Sequence, residues 1–277
     1  MPSSDIRGNG AVSLTMLSWN IHGLPWPLSK DPAGRIDRVC AKIRELSPEI
    51  IAMQEAWRAP VAERVAAALK PEWVPFSITN SSGHPRGGLS LFIRARNEWK
   101  ATGTPAFHPY ETSAPVWKFW QGDGLSDKGV LVLEVERNGT RMFVIDTHLQ
   151  AQYRGSDYAA VRQSQLAQLR RVVSRLDSNL PLLIAGDLNT ECREPLYSAI
   201  TALGTDLTAS GRAQNDHYWS NFDMIDRKRV WIDYIVAGNS EAWSASAEMT
   251  VIENEGIDHP YSDHNGVFCR IALTPRK

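Results

Sequence analysis

The sequence predicts an α/β fold of the α+β kind, with two mixed, mainly antiparallel β-sheets packed face to face and helices on the outside. Two observations carry this prediction. Short apolar runs bounded by polar or turn residues recur along the chain and read as buried strands, while longer stretches repeat apolar residues at helical spacing. The strand signals on either side of Asn138-Gly139 form a hairpin, because that dipeptide supplies the positive φ angles of a tight turn.

Residues 1–13, rich in Ser, Gly and Asn, are expected to be a flexible leader. Residues 14–277 are expected to form a single domain, since the polar motifs run from Asn20 to His264 without a linker. Met16–Trp19 is the first strand signal and ends at Asn20. Asp31-Pro32 is a helix start, a capping acid before a first-turn proline, and Ile36, Val39, Cys40, Ile43 and Leu46 then share one face until Ser47-Pro48 stops the helix. Glu49–Met53 is a strand leading to Glu55, and Ala59–Leu69 is a second helix ended by Pro71. Gly83–Gly88 is a turn before the strand Leu89–Arg94, and the stretch from Glu98 to Gly129 reads as an irregular functional loop. The hairpin Val130–Val135/Met142–Ile145 delivers His148. A third helix is expected from about Ser156 to Leu176, a strand at Leu180–Ala185 leads to Asp187, a short helix covers Pro195–Leu203, and Val230–Ile232 leads to Asp233.

With 277 residues, 43% of them hydrophobic, the chain can fill a sizeable core. A formal net charge of −1 gives no electrostatic footprint for a protein that holds a long nucleic acid, so no stable nucleic-acid partner is expected. Three scattered cysteines exclude a disulfide framework. No apolar window has the length of a membrane span, so the chain is expected to be soluble and monomeric, cytoplasmic as written and secreted if a leader has been removed.

The chemistry lies in the polar residues at the strand ends. A carboxylate such as Glu55 after an apolar run is costly to bury unless it is paired or binds a cation, and its hard oxygens suit Mg²⁺. Alone it would read as an ion pair, and Asn20 alone as a turn residue. Gly186-Asp187-Leu188-Asn189 changes that balance, because Asp187 and Asn189 would point to one side of an extended chain, where they could hold a water and donate to a phosphoryl oxygen. His264, with Asp233 upstream, offers a His–carboxylate pair able to act as general base. The other histidines read as structural, except His148 at a strand end and His22 two residues past Asn20.

Asn20, Glu55, His148, Asp187, Asn189, Asp233, Asp263 and His264, in this order, resemble the endonuclease/exonuclease/phosphatase superfamily of Mg²⁺-dependent phosphoesterases over about Leu14 to Ile271. Within it the chain is most similar to neutral sphingomyelinases. The residues that carry this are Asn20–Pro25 with Arg35-Ile36, Glu55–Trp57, Gly122-Asp123 before Lys128–Val130, and Thr147–Tyr153 followed by Arg162-Gln163 and Gln165-Leu166.

The resemblance implies a four-layered sandwich and Mg²⁺, with Mn²⁺ or Co²⁺ as substitutes, held by Glu55, Asn20 and Asp263. It implies that His264, oriented by Asp233, activates water and that Asp187 positions it, while Asn189 and His148 stabilise phosphoryl oxygens or the leaving alkoxide. Lys128 would add positive charge near the phosphate, and His22, Trp117 and Trp120 would contact substrate. The expected partner is a phospholipid at a membrane or micelle surface. The protruding aromatic hairpin of secreted members has no counterpart between Asp233 and Asp263, and Trp57-Arg58-Ala59 stands where they use an edge metal. A nuclease or nucleotide phosphodiesterase, a phosphatase of a soluble or inositol phosphoester, and a catalytically dead binding module remain alternatives.

Overall fold

A computed structural model describes residues 10–25, 31–96, 99–115, 126–153, 157–214, 219–223, 228–254 and 260–276. In chain order the elements are β1 (Val12–Asn20), α1 (Pro32–Leu46), β2 (Ile50–Gln54), α2 (Ala59–Leu69), β3 (Trp73–Phe76), β4 (Ser90–Arg94), β5 (Lys100–Ala101), β6 (Ala106–Pro109), β7 (Gly129–Arg137), β8 (Thr140–His148), α3 (Ala159–Val173), β9 (Leu182–Asp187), α4 (Tyr197–Thr201), β10 (Gly204–Asp206), α5 (Ala209–Gln214), β11 (Asn221–Asp223), β12 (Lys228–Val230), β13 (Asp233–Gly238), β14 (Trp243–Ile252) and β15 (Gly266–Pro275).

Local chemistry starts and stops these elements as the sequence suggests. The Asp31 side chain accepts from the Gly34 N–H and Pro32 opens α1, whose Ile36, Val39, Cys40 and Ile43 are buried. Asn138 and Gly139, at φ 52° and 81°, join β7 to β8 as a two-residue turn.

One sheet has the order β14-β15-β1-β2-β4-β3 and the other β10-β13-β9-β8-β7-β5, with β6 also on β7. Period-two alternation divides the core between two interfaces. Leu14 and Met16 of β1 and Ile50 and Ala52 of β2 join Val144, Ile184 and Tyr234 between the sheets. Leu17, Trp19, Ile51 and Met53 face the other way and pack with Ile36, Val39, Ile43, Val65 and Leu69 of α1 and α2. Leu166 and Leu169 of α3 extend the first cluster, completing a four-layered sandwich.

Two pairings bring the polar motifs to one end. β1 and β2 run parallel with Asn20 opposite Gln54, and β8 and β9 run parallel with His148 opposite Asp187. Antiparallel β13 enters that same end, with Asp233 opposite Asp187. Asp233 therefore begins a strand rather than ending one, a correction to the sequence reading. The run before it, Val230–Ile232, mostly serves the small β11–β12 pair and the connection.

Other boundaries also differ from expectation. β1 begins at Val12, because Val12 and Ser13 already pair with Leu273 and Ala272. The expected irregular loop contains β5 and β6, which pair with β7 as short edge strands. Helix α3 is shorter than expected, and the short helix after Pro195 is one turn. The long β14–β15 pair was not anticipated, since Ser and Ala alternate along β14 in place of an apolar run. No helix among the described residues is long and apolar enough to cross a membrane.

Gly186 lies in β9 at φ 148°, and a Cβ there would meet the Thr147 carbonyl oxygen at 1.8 Å. Gly186→Ala should therefore destabilise the protein by about 3 kcal/mol or more. Urea unfolding should show the midpoint falling with the m-value unchanged; an unaltered midpoint would mean that β8 and β9 can separate at no cost.

Candidate active site

Each functional side chain sits where a strand of one sheet meets a strand of the other. Asn20 closes β1, Glu55 follows β2, His148 closes β8, Asp187 closes β9 and Asp233 opens β13, while Asp263 and His264 lie just before β15. His22, Glu55 and Asn189 are non-glycine residues at φ 48°, 64° and 46°. Each costs roughly 1 kcal/mol or more, a strain the surrounding hydrogen bonds must hold in place.

Asn20, fully buried, joins the sheets. Its amide nitrogen is 3.0 Å from both Glu55 Oε1 and Asp187 Oδ2 and 3.3 Å from His264 Nε2. Its oxygen accepts from the His22 N–H at 3.0 Å. The reverse orientation would set the amide NH₂ against that N–H, so Asn20 turns nitrogen, not oxygen, toward the carboxylates. In this arrangement Asn20 orients Glu55 and Asp187.

His264 Nδ1 is 2.8 Å from Asp233 Oδ2, and its Nε2 lies 3.6 Å from Asp187 Oδ2. Burial lowers the His264 pKa, but the carboxylates of Asp233 and Asp187 outweigh it and hold the imidazolium well above the ordinary histidine range. Asp187 is pushed up to about 7, by burial first and then by the nearby Asp233. The Ser220 hydroxyl accepts from the Ile232 and Asp233 N–H groups at 2.8 and 3.0 Å and so fixes the entry of β13.

His148 is neutral: burial, then the charges of Lys128 and His264, push its pKa well below the ordinary value. Its Nε2 is 3.0 Å from Lys128 Nζ, whose hydrogens it accepts, and 3.4 Å from Asp187 Oδ2. The proton is therefore on Nδ1, which is buried and has no hydrogen-bond partner. Lys128 also donates to the Leu149 carbonyl at 2.6 Å, and Asn189 Nδ2 reaches the same oxygen at 3.1 Å. Asn189 does not continue an extended chain as expected; its N–H bonds back to Asp187 Oδ1 at 3.0 Å and turns the backbone.

His22 Nδ1 is paired with Asp263 Oδ2 at 2.8 Å. Burial raises the Asp263 carboxyl, but the His22 hydrogen bond and the charge of His264 more than offset it, so Asp263 stays ionised well below the ordinary range. Glu55 is shifted the other way, raised by burial and by the neighbouring Asp263. Trp117 and Trp120, with Trp26, lie outside the described residues.

Two groups of donors could hold a cation. One oxygen or nitrogen from each of Asp187, Asp233 and His264 lies within 4.8 Å of the others, but there His264 Nδ1 and Asp233 are already bonded to each other. Glu55 and Asp263 are half-buried, mutually repelling hard oxygens, and fit Mg²⁺ better.

Sequence reasoning missed four contributors. Ser262 Oγ is 2.7 Å from the Asn20 carbonyl and 3.1 Å from Asp263, and its position in Ser262-Asp263-His264 was the available signal. Ser220 carried no signal. Trp57 has its ring 5.9 Å from that of His148 and lies on Gly88, where a Cβ would meet the indole at 2.8 Å. Tyr110 hydrogen-bonds Thr147 at 2.7 Å from within the stretch expected to be irregular.

A buried His–Asp pair facing carboxylates that can take a cation, with neutral donors opposite, is the arrangement that metal-assisted phosphoester chemistry calls for. The chain belongs to the Endonuclease/Exonuclease/phosphatase family, whose model matches residues 17–264. It is 24% identical over 277 residues to a Drosophila melanogaster protein provisionally named neutral sphingomyelinase, covering 95% of this chain. The chain spans about three fifths (61%) of that relative. Among solved structures it is similar to D. rerio TDP2 complexed with a single-strand DNA product (TM-score 0.73, 17% identity, 94% of this chain and 98% of that one). It is also similar to sphingomyelinase C from Streptomyces griseocarneus (TM-score 0.65, 16% identity, 94% and 99%). At these identities both likenesses bear on the fold.

Replacing Asp233 by Asn removes the largest attraction holding the His264 proton. The imidazole should then titrate at lower pH in the metal-free protein, as followed by long-range ¹H–¹⁵N NMR. An unmoved midpoint would assign the attraction to Asp187 instead.

Proposed function

We propose that the chain hydrolyses sphingomyelin or a related phospholipid, releasing phosphocholine and leaving ceramide or diacylglycerol. The reading rests on the 3.0 Å contact of Lys128 Nζ with His148 Nε2. It joins in one pocket the two segments, Lys128–Val130 and Thr147–Tyr153, that resemble neutral sphingomyelinases. The provisional name of the Drosophila relative supports the same substrate class.

In this reading Glu55 and Asp263 would hold Mg²⁺, which when bound would supply charge neutralisation at the scissile phosphate and acidify water. His264, in the neutral form reached when its Nε2 proton is lost to solvent, would take the water proton at Nε2 while its Nδ1–H bonds Asp233. Asp187, beside both His264 and His148, orients the water. As the water oxygen bonds to phosphorus, the bond to the lipid alkoxide breaks in line on the far side. The second N–H of Asn189 donates to a phosphoryl oxygen, with neutral His148 and Lys128 beside it. Lys128 offsets the charge of the departing alkoxide, which takes up a proton from bulk water.

The test is hydrolysis of sphingomyelin in detergent micelles. Phosphocholine release should require Mg²⁺, stop with EDTA, and fall by about 10²–10⁴ in His264→Ala. Single-stranded DNA and a soluble diester run alongside. Turnover of either with the same metal and His264 dependence, but none of sphingomyelin, would discard the lipid substrate and keep the mechanism.

A further inference from the structure

Beneath the catalytic groups lies a second polar layer with no part in the mechanism above. Along the faces turned between the sheets, β1 reads Leu14, Met16, Ser18, Asn20; β2 reads Ile50, Ala52, Gln54; and β8 reads Met142, Val144, Asp146, His148. Ser18, Gln54 and Asp146 are each 0% exposed. Gln54 Nε2 crosses from one sheet to donate to Asp146 Oδ1 at 2.7 Å. The other two oxygens of this pair, Asp146 Oδ2 and Gln54 Oε1, have no hydrogen-bond partner among the described residues.

An ionised carboxylate is hard to reconcile with that setting. Burial is the largest influence on Asp146 and disfavours its charge; the Gln54 amide and the backbone N–H groups of Ser90, Met53 and Thr147 act the other way but are outweighed, and none of them is charged. A buried charge without a counter-charge is costly, whereas one added proton turns an orphaned acceptor into a donor for the other.

We infer that Asp146 is a positioning residue kept as a neutral acid, whose Oδ2–H donates to Gln54 Oε1. With the Nε2–H···Oδ1 bond this closes a two-bond acid–amide ring between β2 and β8. The ring ties the strand end that carries Glu55 to the one that carries His148, and so sets the span between the cation-holding carboxylate and the donor on the opposite wall. Burial, which pushes the Asp146 carboxyl well above its ordinary value, agrees with the neutral form.

The experiment compares wild type, Asp146→Asn and Asp146→Leu. Infrared spectra at neutral pH should contain, besides any contribution from Asp187 titrating at about 7, the carbonyl band of a protonated carboxyl that disappears in Asp146→Asn. The folded wild type must keep a proton that the unfolded chain releases above about pH 4. Its stability contribution is therefore lost as pH rises, and Asp146→Asn should gain in Tm relative to wild type between about pH 5 and about pH 9. Asp146→Asn should also keep Mn²⁺ affinity and the pH profile of soluble-diester hydrolysis within about twofold, as an isostere retaining the cross-strand bonds. Asp146→Leu should weaken Mn²⁺ binding and lower kcat by about tenfold or more, with a smaller change in KM.

Absence of the band from wild type, or an Asp146→Asn protein that loses stability relative to wild type as pH rises, would overturn the inference. Should Asp146→Leu fail to fold, those two readouts still decide. Neither needs a substrate, so failure of the sphingomyelin reading would leave them untouched.

Discussion

Glu55, Asp187, Asp233 and Asp263 share one end of the sandwich, and the cost of keeping four carboxyl groups together out of water organises the rest of the site. Two unit charges about 4 Å apart repel by roughly 4 kcal/mol at the effective dielectric of a protein site. Each acid therefore has a different answer. Asp263 is ionised against His22, Asp233 is bonded to His264, and Asp187 is left to titrate near neutrality between Asn20 and His264. Among the described residues Glu55 is hydrogen-bonded by the Asn20 amide at 3.0 Å and by no cationic side chain, which leaves it the best seat for a cation.

The backbone yields to this arrangement. Glu55, Asn189 and His22 adopt left-handed conformations that turn their side chains or those of their neighbours inward, at about 1 kcal/mol each. Such costs are smaller than the electrostatic terms they serve, which is why they persist. Gly186 belongs to the same trade: only a residue without Cβ lets β9 approach Thr147 closely enough to set Asp187 beside His148.

Polarity also changes in steps along the interior. Leu14, Met16, Ile50 and Val144 form a dry core, Ser18, Gln54 and Asp146 a neutral hydrogen-bonded layer, and the carboxylates and histidines come only after it. A neutral layer lets the sheets stay in contact up to the site without adding another charge to a place already crowded with negative ones. Lys128 sits at the far wall, bonded to His148 and Leu149, where burial and then its charge keep that histidine neutral.

Much of this was written in the chain itself. Alternation, capping residues and the Asn138-Gly139 turn determined most strands and helices, and strand ends marked Asn20, Glu55, His148, Asp187 and Asn189 as the groups to watch. Those signals are local, because side-chain period and turn chemistry depend on a few adjacent residues. The tertiary structure decided everything that depends on which strand lies beside which. It made Asn20 a bridge between the sheets, made Asp233 the first residue of its strand, and paired His22 with Asp263. It also buried Asp146 against Gln54, a contact between residues 92 positions apart. Periodicity tells a strand which face to bury, but only parallel or antiparallel register across the sheets tells a buried polar atom where its partner is.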